Sequence, residues 1–225
     1  AEPDQGIMQD LNLLYQGGMI TKVIDVSEKL IPVFPKSPFL WNIWGSSHRK
    51  IGKPDLAEKA CRKATELDPN FAAAHNNLGC ALTLQGKTGE AHLAFSKALA
   101  IEPDLAVAHK NLGNIWRDQG ELTRATDAFR KAITLQPHYT EAYICLGDTL
   151  KDRGNFDEAI TTYQHALAID PNMAEPHNNI GVALKKQGKI TAALAAYQEA
   201  LRLNPNLPAV HNNIGLVLHD LGKSE

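Results

Sequence analysis

The sequence predicts an all-α chain of stacked antiparallel helix pairs, and three observations predict it. Proline recurs at Pro35, Pro69, Pro103, Pro137, Pro171 and Pro205, every interval being 34 residues. Glycine keeps the same interval along two lines, Gly45, Gly79, Gly113, Gly147, Gly181, Gly215 and Gly18, Gly52, Gly86, Gly120, Gly154, Gly188, Gly222, which take thirteen of the sixteen glycines. Between these markers apolar residues are spaced by threes and fours, as on one face of a helix, and nothing alternates with period two, so no strands are expected. A fixed period of this length marks one supersecondary unit stacked on copies of itself, which places function on an extended surface rather than in a closed pocket.

Setting each proline near the end of its unit divides the chain into 4–37, 38–71, 72–105, 106–139, 140–173 and 174–207, with a half unit at 208–225. Each full unit reads as two helices. In 106–139 the first apolar stripe is Leu112, Ile115 and Trp116, and Gly120 ends it as a residue free to take positive φ. The second stripe is Ala125, Ala128, Phe129, Ala132, Ile133 and Leu135, closed by Pro137, which cannot continue the hydrogen-bond ladder. Small residues hold two further lines, Ala57, Ala91, Ala125, Ala159, Ala193 and Ala64, Ala98, Ala132, Ala166, Ala200. A first-helix glycine such as Gly113 is expected opposite a second-helix alanine such as Ala125, letting the backbones approach closer than the usual ~8–10 Å. Leu78, Leu112, Leu146, Ile180 and Ile214 then form one filling layer, and Phe95, Phe129, Tyr163 and Tyr197 another.

This register, an aromatic or His, then Leu-Gly, a later Ala-x-x-x-Phe/Tyr-x-x-Ala and a terminal Pro, resembles the tetratricopeptide repeat (TPR). The match covers nearly the whole chain, and five units carry almost every signature position. The resemblance implies a right-handed superhelical solenoid of six 34-residue repeats plus a terminal half repeat, with first helices lining a concave surface where ligands bind. Unit 4–37 departs from the pattern, with Leu11 where Gly is expected and Val23, Ser27 and Leu30 on the alanine and aromatic lines. Such divergence suits a cap whose outer face meets water. Residues 208–225 supply only a first helix, leaving Ile214, Leu218 and Leu221 without their second helix; it serves as a cap, or the natural chain continues.

Composition narrows the partners. A formal net charge of −2 lacks the basic surplus that draws proteins to nucleic acid. Cys61, Cys80 and Cys145 occupy three different places in the repeat, so no disulfide or zinc framework is suggested. No apolar run reaches the length of a bilayer span and no basic-then-apolar leader opens the sequence, so no membrane partner and a cytoplasmic location are expected.

Reading one column per first-helix position gives the candidate site. The most regular polar column is Asn77, Asn111, Asn179 and Asn213, broken by Cys145 and Ile43. Beside it run Asn42, Asn76, Lys110, Ile144, Asn178 and Asn212. Asparagine carries a donor and an acceptor and so can hold the N–H and C=O of an extended peptide without reading its side chains. Repeats about 10 Å apart against a strand rise of about 3.3 Å would place one Asn at roughly every third ligand residue. Asn77, Asn111, Asn179 and Asn213 look like the asparagine ladder of the O-linked N-acetylglucosamine transferase superhelix. The alternative is that these are solvated positions copied by duplication, although Asn costs up to ~0.7 kcal/mol against Ala in a helix.

One turn further along stand Arg49, Arg117, Lys151 and Lys185, joined by Lys50 and Lys186, with Asp118, Asp148, Asp152, Asp220, Glu141 and Glu175 among them. A solvated, salt-bridged face is one reading and an acidic-peptide channel the other. Lys110 and Asn114 match the opening half of the carboxylate clamp of TPR cochaperones, but Cys145, Glu175 and Asn179 stand where its other members belong, so chaperone-tail binding is rejected. His75, His109, His177 and His211 share one line. Equivalent residues about 10 Å apart cannot converge on a zinc ion with ligands at ~2.0–2.1 Å, and Trp41 and Tyr143 hold the same line, so packing is expected and no metal or cofactor.

No glycine-rich phosphate loop follows a strand and no nucleophile stands beside a base in a motif. The expected function is therefore non-enzymatic, a protein-interaction scaffold binding an extended peptide or partner segment on its concave face. The alternative is the substrate-recruiting N-terminal region of a glycosyltransferase or sulfotransferase. Self-association through the exposed 208–222 helix is a further expectation.

Overall fold

The computed structural model describes residues 2–222; Ala1 and residues 223–225, the last of which close the predicted half unit 208–225, lie outside the described residues. Among the described residues there are thirteen α-helices and no strands. They are α1 (Gln5–Gln16), α2 (Ile20–Leu30), α3 (Pro38–Lys50), α4 (Pro54–Leu67), α5 (Ala72–Leu84), α6 (Thr88–Ile101), α7 (Ala106–Asp118), α8 (Leu122–Leu135), α9 (Thr140–Asp152), α10 (Phe156–Ile169), α11 (Ala174–Lys186), α12 (Ile190–Leu203) and α13 (Pro208–Gly222). Odd-numbered members are the first helices of the pairs and even-numbered members the second. Packing divides the chain into two compact units, Ala1–Leu112 and Gly113–Glu225, each built from the same hairpins.

Local chemistry sets the helix ends. Six glycines between first and second helices, Gly120 among them at φ 78°, adopt the left-handed region. A Cβ at Gly120 would meet nothing within 4 Å, so glycine is needed there for its φ and not for space. The Glu121 N–H then reaches back to the Trp116 carbonyl at 2.8 Å, the closing bond of a helix C-terminal motif. Second helices stop for a different reason. Asp68, Glu102, Gln136, Asp170 and Asn204 each precede a proline and hold extended angles, φ between −142° and −128° with ψ between 88° and 101°. The proline ring crowds the residue before it out of the helical region. Asp68, Asp170 and Asn204 then accept the N–H two residues on, turning the chain toward the next first helix. Ahead of α3, Ser37 takes the Leu40 N–H at 3.2 Å, with Pro38 as the first helical residue.

Packing corrects one expectation. Gly79, Gly113, Gly147 and Gly181 face aromatic rings, not the alanine line. A Cβ at Gly113 would stand 2.7 Å from the Phe129 ring, and at Gly79, Gly147 and Gly181 it would stand 2.5 Å from Phe95, Tyr163 and Tyr197. The rings are buried, and the missing Cβ is the space they fill. Both alanine lines are also fully buried, where the second helices press on their neighbours. The same rule explains the divergent first pair. Leu11 stands on the glycine line and Ser27 on the aromatic line, both buried, so the bulk has moved from the second helix to the first while the joint volume is kept. In the next pair Gly45 faces Cys61, the smaller occupant of the aromatic line. Gly215 on α13 would meet nothing within 4 Å.

Within each unit the first helices form the tighter wall. Among the described residues α1, α3 and α5 touch in succession, as do α9, α11 and α13, whereas no second helix comes as close to another second helix. Long polar side chains bridge the wider outer side. Arg62 reaches Glu90 at 2.6 Å, Lys87 reaches Glu58 at 2.8 Å, and Arg130 pairs with Glu158. The hydrogen bond from Lys87, supported by Arg62 at 2.8 Å, lowers the Glu58 carboxyl from its ordinary 4.5 to about 2.

Two outcomes are expected. Gly147→Ala drives a methyl into Tyr163 and lowers stability in urea unfolding by about 1–3 kcal/mol, whereas Gly215→Ala, with open space around it, is neutral or stabilising by up to about 1 kcal/mol. Because the folded Glu58 has the lower pKa, its stabilisation is complete above about pH 4.5 and is lost as pH falls toward 2. Lys87 and Arg62 reach into solvent, so the effect is about 1 kcal/mol, and Glu58→Gln should flatten that part of the stability–pH curve.

Candidate functional site

The two asparagine columns lie on the tighter wall, on α3, α5, α7, α11 and α13, and the structure joins them to each other. The Asn77 amide donates to the Asn42 carbonyl oxygen at 2.9 Å, Asn111 to Asn76 at 3.0 Å, and Asn213 to Asn178 at 2.9 Å. Each bond crosses from one first helix to the next, so the columns act first as clips between repeats. Asn76 and Asn179 are buried, Asn77, Asn111, Asn178 and Asn213 half-buried, and Asn212 exposed. This is neither the freely presented ladder nor the solvated row that the sequence suggested. One N–H of one partner and one lone pair of the other make each clip. A primary amide has two donors and two lone pairs, so capacity for a ligand remains on both columns.

In the second unit the clip changes chemistry. Asn179 donates at 3.0 Å to Asp148, which stands on α9, one turn from its column. The same Asp148 oxygen accepts from the Tyr163 hydroxyl at 2.6 Å and from Lys151 at 3.1 Å, and Arg117 lies 3.8 Å from the other oxygen. Burial and then the Asp148 charge push the Tyr163 phenol well above its usual range. Three residues expected to line the site, Arg117, Lys151 and Asn179, are thus gathered round a carboxylate that the sequence had marked only as an intruding acid. Lys185 pairs with Asp220 at 3.3 Å. Asn114 keeps its side-chain carbonyl oxygen buried with no hydrogen-bond partner.

In the first unit the place equivalent to Asp148 belongs to Cys80. Asn111 donates to its sulfur at 3.3 Å as well as to Asn76. Burial raises the Cys80 thiol, while the charges of Arg49 and Lys110 and the Asn111 hydrogen bond oppose that rise. Arg49 holds its Nε–H buried and without a partner. Cys80 did not figure among the candidate site residues, and Arg49 figured only in the basic row. The available signal was their register with Asp148 and Arg117, 68 residues on.

On the histidine line His75 is buried, His109 and His177 are half-buried and His211 is exposed. His75, His109 and His211 place Nε2 at 3.0, 2.8 and 3.1 Å from the carbonyl oxygens of Pro69, Pro103 and Pro205, and Trp41 donates to Pro35 in the same way at 3.0 Å. A carbonyl only accepts, so Nε2 carries the proton. These rings pin the turn that feeds each first helix.

Models of the TPR repeat match residues 147–188 and 183–222, and models of the tetratricopeptide repeat match 106–139, 60–92 and 40–71. No curated protein sequence matches the chain. Among solved structures, MamA is similar at 28% identity and a TM-score of 0.65, over 72% of this chain and 94% of that one. YrrB, described as a TPR protein with an unusual peptide-binding site, is similar at 22% identity and 0.66, over 83% of this chain and 96% of that one. PilW, a widely conserved type IV pilus biogenesis factor, is similar at 20% identity and 0.83, over 94% of this chain and 100% of that one. At such identities the last two bear on the fold alone.

The two buried tyrosines should respond oppositely to loss of the hydroxyl. Tyr197 buries its OH with no partner, since Val182 stands where the preceding repeat has Asp148. Tyr197→Phe should therefore leave thermal stability unchanged or raise it. Tyr163→Phe removes a hydrogen bond to a charged acceptor and should cost about 1.5–3 kcal/mol, read by urea unfolding.

Proposed function

The chain belongs to the tetratricopeptide-repeat family, and from that premise we propose that it is a non-enzymatic interaction scaffold binding an extended peptide or partner segment along the wall of first helices. The observation that carries the reading is the paired asparagine columns. Side-chain amides recur at one level of α3, α5 and α7 and again of α11 and α13, with Ile144 and Cys145 interrupting on α9, and hydrogen-bonding capacity remains after clipping. An extended segment offers N–H and C=O groups at regular intervals, and such a row can satisfy them whatever the side chains. Asn76, Asn77, Lys110 and Asn111 would serve in the first unit, and Asn114, Arg117, Lys151, Asn178, Asn179, Lys185, Asn212 and Asn213 in the second. Among the described residues no helix is long and apolar enough to cross a membrane.

Peptides selected on the protein from a displayed random linear library provide the test. Asn111→Ala and Asn179→Ala should each weaken a selected peptide by about tenfold, equivalent to about 1.4 kcal/mol, with helicity unchanged by circular dichroism. Leu93→Ser, at an exposed position on the second helix α6, should leave affinity unchanged. Full affinity in both Asn variants, or loss in the Leu93 variant alone, would overturn the proposal.

A further inference from the structure

One seam of the first unit is built unlike its neighbours. Between α3 and α5, and again between α5 and α7, an asparagine amide crosses from one first helix to the next. Between α1 and α3 the same two positions hold Met8 and Ile43, so no side-chain amide crosses at that level. An apolar cluster of Leu11, Val23, Leu40 and Ile43 joins the first pair to α3 instead. Lys50 lies 4.2 Å over the Tyr15 ring, and the Trp44 Nε1–H donates to Glu28 at 3.4 Å.

His48 is set into this seam. Its column is apolar everywhere else, with Leu14, Leu82, Trp116, Leu150, Leu184 and Leu218 at the 34-residue intervals. His48 is 3% exposed, and both of its ring nitrogens are buried without a hydrogen-bond partner. The Ser27 hydroxyl on α2 is buried in the same state. The ring stands edge-on to Trp44 with centroids 4.3 Å apart, and a Glu28 carboxylate oxygen lies 4.0 Å from Nε2, beyond hydrogen-bonding reach.

A neutral imidazole can be held there at modest cost. An imidazolium would put a charge and two unmet donors into an apolar seam. Burial is the largest influence and holds His48 below the usual histidine range. Lys53, in the turn into α4, acts in the same direction, and Glu28 opposes both. The Glu28 side chain is 55% exposed, so water weakens its pull. The other charged side chains of α2, Lys22, Asp25 and Lys29, are exposed, as is Asp10, the one charged residue of α1. On α4, Asp55 and Lys59 are exposed, while Glu58, Arg62, Lys63 and Glu66 are taken up in ion pairs. Arg49 and Lys50 follow on α3 itself and add no counter-charge. α5 brings no carboxylate or ammonium group, and its His75 is tied to Pro69.

We propose that the seam between the first pair and α3 is a pH-sensitive latch, in which a proton taken up by His48 loosens α1 and α2 and uncovers Leu40 and Ile43. The inference does not depend on the peptide-binding reading. A loosened His48 takes its proton near the ordinary 6.5 and a closed one only at lower pH. The latch is therefore closed above that value and weakens as pH falls below it. This window lies above the one in which Glu58 titrates.

Amide hydrogen exchange of the 15N-labelled chain tests the latch. Protection factors, which remove the intrinsic pH dependence of exchange, are compared at about pH 7.5 and about pH 5. Protection of α1 and α2 should fall about tenfold in acid, and that of α8 and α10 should hold. His48→Leu, which places in α3 the residue its column carries at 82, 150 and 184, should abolish the fall without lowering protection at the higher pH. Glu28→Gln should deepen it, since the group that favours the proton is gone. Constant or rising protection of α1 and α2 in acid would overturn the latch, and so would an equal fall in His48→Leu. The ring resonances of His48 in the parent chain give a check that needs no variant: a midpoint at or above 6.5 would also overturn it.

Discussion

A ring lying on a backbone without a Cβ sets the geometry of four hairpins. Phe95, Phe129, Tyr163 and Tyr197 occupy the volume that a side chain on Gly79, Gly113, Gly147 and Gly181 would need. That contact fixes how near the two helices of a pair come and how they rotate about each other. Everything on the tighter wall inherits its spacing from it. The pair α3–α4 sets Gly45 against Cys61 in place of a ring, and the first pair exchanges the bulk between Leu11 and Ser27.

On that scaffold the proposed function would have the wall of first helices do two things with one set of residues. Asparagine clips tie neighbouring first helices together, and the half-buried members, Asn77, Asn111, Asn178 and Asn213, are the ones the proposed ligand would meet. A group already held by a neighbour has lost most of its rotamer freedom before a ligand arrives, so binding through it costs less ordering. The outer side uses different means. There the helices stand further apart, and charged side chains such as Glu58, Lys87, Arg62 and Glu90 span the gap as surface pairs, which are individually weak and sensitive to acid.

The two units differ in how they treat charge on this wall. In the second, Arg117, Lys151 and Lys185 are engaged by Asp148 and Asp220, which favours the salt-bridged face over a continuous acidic-peptide channel. In the first, a thiol stands where the acid would be.

The sequence by itself determined the elements and their order. A proline forces the residue before it out of the helix, a glycine between helices takes the φ that others avoid, and apolar spacing by threes and fours marks the buried face; each acts over a few residues and is legible locally. The asparagine columns and the histidine line were likewise visible as periodic positions. Tertiary structure alone decided what those side chains meet. That Gly113 faces Phe129 and that Asp148 meets Tyr163 depend on the angle at which the helices of one hairpin pack, and that Asn111 bonds to Asn76 and Cys80 and Asn179 to Asp148 on the angle from one hairpin to the next. A repeat length records how often a unit recurs but not those angles, which are set by the shapes of the buried side chains once they pack.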